Sequence, residues 1–208
     1  AFATMRLGSP VVLLVLLAVW AGYVLFAPGP AIKNTDSTGR NILCFGDSLT
    51  YGTGASEGND YPSRLAARID LPVINAGVPG DTTADALERL DRDVLSRSPR
   101  MVLLTLGGND LKNGVPKEKA FSNLRAIVEA IQEAGALVVI GGVDIPFYGR
   151  GFDEAYEDLA QETGSVLIPN VYQGILGTPD RMSDRIHPND RGYAVMARHF
   201  HEAIEPYL

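Results

Sequence analysis

The chain is poor in the residues on which whole classes of chemistry depend. Its 208 residues include one cysteine and three histidines. A single cysteine excludes an intramolecular disulfide. Cys44 lies inside an apolar run and reads as a buried, inert thiol. A catalytic cysteine is the weaker alternative, because the polar, site-like residues converge on Ser48 instead. A lipid-modified cysteine is weaker still, because Cys44 lies well beyond the apolar N-terminus. His199 and His201 are two apart on a helical pattern, which turns them to different faces and argues against a metal pair. No metal is expected. Positive charge is also scarce: 18 Lys and Arg stand against 25 Asp and Glu, a net charge of −7. Arg6 is the only charge in the first 27 residues, so the remainder carries 17 basic against 25 acidic side chains. A domain this acidic lacks the basic face that nucleic acid requires. No Gly-x-Ser-x-Gly elbow surrounds Ser48. The glycines of Gly52-Thr53-Gly54 and Gly107-Gly108 do not have dinucleotide spacing, and no cofactor is expected. There is no internal repeat or low-complexity tract.

What the chain does have is 46% hydrophobic residues and length enough for one sizeable core. The segment 10–27 is uncharged and, as a helix, would span ~27 Å, close to the hydrocarbon thickness of a bilayer. Met5-Arg6 precedes it, and Met5 reads as a natural start. An uncleaved membrane anchor explains the length of the segment and its aromatic residues near the far end. A signal peptide cleaved near Val19-Trp20-Ala21 is the alternative. The positive-inside count does not orient the segment, since Arg6 and the amino terminus oppose Lys33 and Arg40. The expectation is an anchored protein with an extracytoplasmic catalytic domain, or a secreted one if the segment is cleaved. Three regions follow: an apolar segment 1–27, a linker 28–40 rich in Pro, Gly, Ser and Thr, and a domain 41–208.

Within the domain, continuous apolar runs at 41–45, 72–76, 101–106, 136–142 and 165–168 predict strands buried on both faces of a parallel sheet. Amphipathic helices are predicted between and after them over 61–69, 82–96, 117–134, 153–163 and 188–204. Five strands alternating with helices predict a three-layer α/β domain with right-handed crossovers. Ligands of such sheets bind at the carboxyl ends of the strands.

At those ends stand Gly46-Asp47-Ser48-Leu49, then Asn75-Ala76-Gly77-Val78-Pro79-Gly80-Asp81, then Gly107-Gly108-Asn109-Asp110. Asp184-Arg185-Ile186-His187-Pro188 precedes the last helix. Acyl transfer needs a nucleophile, a base, an orienter for that base and donors for an oxyanion. Ser48 is the candidate nucleophile and His187 the candidate base. Asp184, three residues earlier, is placed to hold His187 Nδ1 and leave Nε2 to accept the serine proton. The amides of Ser48 and Gly77 and the side chain of Asn109 are the candidate oxyanion donors. Pro188 suits the first turn of the following helix. Each piece alone also reads as a cap, a turn or a surface group. The combination in this order is far more specific.

That combination resembles the SGNH hydrolase superfamily, the GDSL esterases and lipases, over residues 41–208. Within it, Asn75-Ala76-Gly77, Gly80-Asp81-Thr82-Thr83 and Pro146-Phe147-Tyr148-Gly149-Arg150 resemble loops of the bacterial acyl-CoA thioesterase, lysophospholipase and arylesterase group. The resemblance implies a flavodoxin-like α/β/α sandwich, a Ser-His-Asp triad, a three-donor oxyanion hole, no metal, and hydrolysis of carboxylic esters or thioesters. Small-molecule acyl substrates, lipids among them, are the expected partners. Leu49, Val78, Pro146, Phe147, Tyr148 and Ile186 are candidate substrate contacts, and Ile175 and Leu176 line an acyl groove or belong to the core. A carbohydrate deacetylase of the cell envelope and a membrane-tethered binding protein with a spent site are the alternatives.

Overall fold

The computed structural model describes residues 13–16, 31–145 and 151–208. Leu13 to Leu16 are helical and exposed. The rest of the apolar segment 10–27 lies outside the described residues. Among the described residues, no helix is long and apolar enough to cross a membrane.

From Ile32 to Leu208 the chain forms one compact unit. Five strands, β1 (Ile42–Gly46), β2 (Val73–Gly77), β3 (Met101–Thr105), β4 (Leu137–Gly141) and β5 (Val166–Ile168), pair in parallel in the order β2-β1-β3-β4-β5. This is the doubly wound order whose switch point lies between β1 and β3. In β1, β3 and β4 every residue is buried, as their uninterrupted apolar runs predict. The edge strands β2 and β5 are only partly buried.

Alternate residues of the central strands feed two cores. On one face Ile42, Cys44, Met101 and Leu103 pack with Tyr61, Leu65, Tyr193, Met196 and Phe200. Those partners come from the helices here called α2 (Tyr61–Ala66) and α7 (Asp190–Ile204). On the other face Leu43, Phe45, Val102 and Leu104 pack with Leu90, Leu124, Ile127, Val128, Tyr156 and Leu159. These belong to α3 (Thr83–Asp93), α5 (Lys117–Glu133) and α6 (Phe152–Thr163). Each such aliphatic side chain contributes roughly 1.5–3 kcal/mol when fully buried.

Two one-turn helices, α1 (Ser48–Tyr51) and α4 (Gly108–Lys112), follow β1 and β3 directly. Four or five residues show no helical periodicity, so the sequence offers only a cap or turn reading there. The predicted 82–96 helix stops at Asp93 and continues as a 3₁₀ turn, Leu95–Arg97. Pro188 is not in the first turn of α7. Asn189 caps that helix by accepting from the Arg191 and Gly192 amides, and Pro188 instead forms a bridge with Met182. The described end of the expected linker is also part of the folded body. The Lys33 amide donates to Gly164 O (2.9 Å), and Asn34 Nδ2 donates to the carbonyls of Gln132 and Ala136 (2.9 Å each).

Candidate active site

The register sets the geometry. Gly46, Gly77 and Thr105 end their strands side by side. The loops after β1, β2 and β3 therefore emerge at one edge. Ser48 is the first residue of α1, and an amide at that position has no intrahelical acceptor. Asp47 caps the turn: its Oδ1 accepts the Leu49 amide at 2.9 Å, and Gly52 closes the turn in a left-handed conformation. The turn thus holds Ser48 at the strand end with its own N–H unspent among the described residues.

The base arrives from the loop before α7. Asp184 Oδ1 accepts the amides of Ile186 and His187, both at 2.8 Å, which curls the four residues back on themselves. Its Oδ2 then lies 2.7 Å from His187 Nδ1, and His187 Nε2 lies 3.1 Å from Ser48 Oγ. With Nδ1 donating to the carboxylate, Nε2 is the ring acceptor for the serine hydroxyl. Desolvation pushes the Asp184 carboxyl up. The hydrogen bonds from the Ile186 amide, the His187 ring and the His187 amide outweigh it and hold the pKa at about 2. Tyr172 Oη donates to Ile186 O at 2.6 Å, and Tyr193 Oη donates to Thr53 O at 2.9 Å. Asp190 accepts from the Ser56 amide at 2.8 Å and from its hydroxyl at 2.7 Å. The nucleophile's loop and the base's helix are thereby tied together.

One oxyanion assignment needs correction. The Gly77 amide is not available, because it donates to Asn75 Oδ1 at 2.9 Å. Gly77 serves packing instead. A Cβ there would lie 2.6 Å from the Thr50 carbonyl carbon and 2.8 Å from Tyr51 Cα. Only glycine lets β2 end against the backbone of α1. The glycine with an unspent amide is Gly80, at φ +92° in the turn closed by Asp81 N to Val78 O (3.2 Å). Its N–H meets no acceptor among the described residues. Proline followed by glycine at the centre of a turn was the signal in the sequence. Asn109 stands next to this turn: its Nδ2 donates to Asp81 O at 2.9 Å and to Asp47 Oδ2 at 3.2 Å. Burial pushes the Asp47 carboxyl up to about 6, although the Leu49 amide and His187 draw it down. Asp110 fixes the start of α3, accepting from the Thr83 amide (2.8 Å) and hydroxyl (2.7 Å).

Ser48, Asn109 and His187 open onto a cleft of about 420 Å³ whose walls include Leu49, Leu111, Val143, Ile145, Tyr172 and Ile186. Of the expected substrate contacts, Leu49 and Ile186 line it. Val78 does not, and is an exposed residue beside the cleft's loops. Pro146, Phe147 and Tyr148 lie outside the described residues. Ile175 is core, with Leu176 packed against it. A larger groove of about 630 Å³ lies at the amino ends of the strands, around Arg40, Asn41, Arg97 and Ser98. It brings no nucleophile and base together, so the smaller cleft is the candidate site.

A serine hydrogen-bonded to a histidine that is itself held by a carboxylate, at the switch point of a doubly wound sheet, defines a serine hydrolase type of site. The sequence profile of the GDSL-like Lipase/Acylhydrolase family matches residues 44–195. The chain belongs to that family and is a carboxylic ester hydrolase. It is 31% identical over 175 residues to "Thioesterase 1/protease 1/lysophospholipase L1" of Escherichia coli K12, covering 80% of this chain and 84% of that protein. It is 29% identical over 180 residues to the "Arylesterase" of Vibrio mimicus, covering 81% and 90%. The crystal structure of TesA superposes with a TM-score of 0.75 at 27% identity, covering 81% of this chain and 99% of that one.

Proposed function

We propose that the chain hydrolyses esters and thioesters of apolar acyl groups through an acyl-Ser48 intermediate. The observation that carries this reading is the Ser48–His187–Asp184 relay, at 3.1 and 2.7 Å, opening onto an apolar cleft. His187 Nε2 takes the Ser48 proton as Oγ attacks the acyl carbon. Asp184 keeps the imidazole in its tautomer and balances the imidazolium that forms. The carbonyl oxygen, now charged, is received by the amides of Ser48 and Gly80 and by Asn109 Nδ2. Asn109 meets it by releasing its longer bond, the one to Asp47. The imidazolium then protonates the leaving oxygen or sulfur. A water deprotonated by His187 attacks the acyl-enzyme, and Ser48 is regenerated.

The apolar walls favour an acyl chain over a carbohydrate face. Lysophospholipids and acyl thioesters, the substrates named for the E. coli relative, are the classes proposed. The uncharged segment 10–27 supports a tether that holds this cleft near lipid outside the cytoplasm. Protease treatment of spheroplasts tests the placement, and complete protection of the domain would refute it. A chain-length series of nitrophenyl esters, acyl-CoA and lysophospholipid tests the substrate class, with Ser48→Ala as the blank. Activity confined to acetyl groups, or an active Ser48→Ala variant, would overturn the reading.

A further inference from the structure

We infer that Arg89 is a positioning residue for the oxyanion-binding groups, acting through two strand-end carbonyls and the Asp81 carboxylate at once. The inference rests on the acyl-Ser48 reading above. Arg89 is on α3, two turns below Asp81, and helical side chains tilt toward their helix's amino end. The side chain therefore runs back toward the catalytic edge. It is buried, and its guanidinium lies 4.3 Å from the centroid of the Phe45 ring.

Its donors are spent with little redundancy. Nη2 donates to Gly46 O at 2.9 Å, two residues before Ser48. Nη1 donates to Ala76 O at 3.0 Å, just before the Gly77–Gly80 loop. Nε donates to Asp81 Oδ2 at 2.6 Å, and Asp81 is the residue whose carbonyl holds Asn109. One planar fork thus spans the end of β1, the end of β2 and the turn that carries Gly80. The first leads to the Ser48 amide and the other two to the Gly80 amide, while Asn109 is reached through the Asp81 carbonyl. A second bond from Nη1, to Asp93 Oδ2 at 3.2 Å, leads away from the site.

A guanidinium is suited to this and an ammonium is not. Five donors in a fixed plane satisfy carbonyls in different directions without a choice of rotamer. A lysine at the same place supplies the charge for Asp81 but cannot hold both strand ends. Arg89 touches no reacting atom, so its effect on catalysis is through the placement of Ser48 N–H, Gly80 N–H and Asn109.

The test separates placement from charge balance. Arg89→Met alone strands the buried Asp81 carboxylate, so the informative variants are Arg89→Lys and the double Arg89→Met/Asp81→Asn. Both keep the charge balanced. Expected are native melting curves, KM for a nitrophenyl ester within threefold of wild type, and kcat lower by about 10-fold for the lysine and about 10²-fold for the double variant. Labelling of Ser48 by a phosphonate ester should slow in parallel with kcat. Asp93→Asn, which alters only the outward bond of Arg89 and the exposed pair with Arg92, should retain wild-type kcat. If either charge-balanced variant is fully active, if the loss falls on KM rather than kcat, or if Asp93→Asn is as slow as the double variant, Arg89 serves packing alone. Failure of the wild-type enzyme to be labelled at Ser48 would instead remove the acyl-Ser48 reading, and this inference with it.

Discussion

Gly77 and Gly80 sit three residues apart, at the end of β2 and in the loop after it, and alanine at the two positions should differ most in its effect on rate. At Gly77 the added methyl would lie 2.6 Å from the Thr50 carbonyl carbon and 2.8 Å from Tyr51 Cα. Carbon atoms are at ease about 3.5–4.0 Å apart, so β2 and α1 must separate by about 1 Å. Both obstructing groups are backbone, and no rotamer change relieves them. Overpacking of this kind costs about 1–3 kcal/mol. Because α1 carries Ser48, the displacement also moves Oγ from His187 Nε2, and a 1 Å misplacement costs about 10²-fold in rate. At Gly80 nothing lies within 4 Å of the new methyl, but φ is +92°. The cost is conformational, about 1–2 kcal/mol, with kcat expected within about tenfold of wild type because the backbone N–H remains. Thermal melts and initial rates on a nitrophenyl ester give both numbers for each variant. Wild-type stability and kcat in Gly77→Ala would refute the packing argument, as would Gly80→Ala proving the slower of the two.

Asp184→Asn keeps a side-chain acceptor for the Ile186 and His187 amides but loses the charge that balances imidazolium. It should leave a folded enzyme with kcat lower by about 10³–10⁴-fold, measured on the same ester; a loss below tenfold would exclude the orienting role. The buried Asp47 carboxyl moves on folding from 3.8 to about 6. A raised native pKa adds stability that is complete below the unfolded value and is lost as pH rises through the native one. Asp47 should therefore cost stability at neutral pH, by about 3 kcal/mol over the full transition. Denaturant unfolding between pH 4 and 7 should show that fall and Asp47→Asn should lack it; identical profiles would remove the assignment. Burial pushes the Cys44 thiol up, and the residue is wholly enclosed, so thiol reagents should leave the native enzyme unmodified and active. Labelling without unfolding would contradict the core placement. Tyr172→Phe removes the 2.6 Å bond to Ile186 O, which should lower kcat by about three- to tenfold without a change in melting beyond ~1.5 kcal/mol.

Legibility followed the length of the signal. The helix over Lys117–Glu133 and the three central strands were readable because many residues repeat one pattern, either a helical stripe or an unbroken apolar run. The one-turn helices α1 and α4 were not, because their helical state comes from capping and from the strand ends that feed them. Asp47, Gly52 and Gly107 are the only local cues. Placing Pro188 in the first turn of the last helix failed for a related reason. Proline is tolerated there but not compelled, and Asn189, one residue later, offers two amide bonds that proline does not.

The candidate site divides along the same line. Asp184 and His187 are three residues apart, and a short-range turn brings them together, so the sequence determined their pairing almost unaided. The alternation of apolar runs with amphipathic stretches likewise determined that Ser48, Asn109 and the loop after β2 share one edge. Which glycine of that loop offers its amide was a tertiary decision. Pro79 marks Gly80 as a turn residue, but only the fold shows that the backbone of α1 lies against Gly77 while nothing packs on Gly80. Ser48 and His187, 139 positions apart, are brought together only by the fold. The same is true of Arg89, whose two carbonyl partners, Gly46 and Ala76, lie on strands that no local rule connects to it. Spacing along a chain carries hydrogen-bond information over a few residues. Beyond that, strand order and register decide which groups meet.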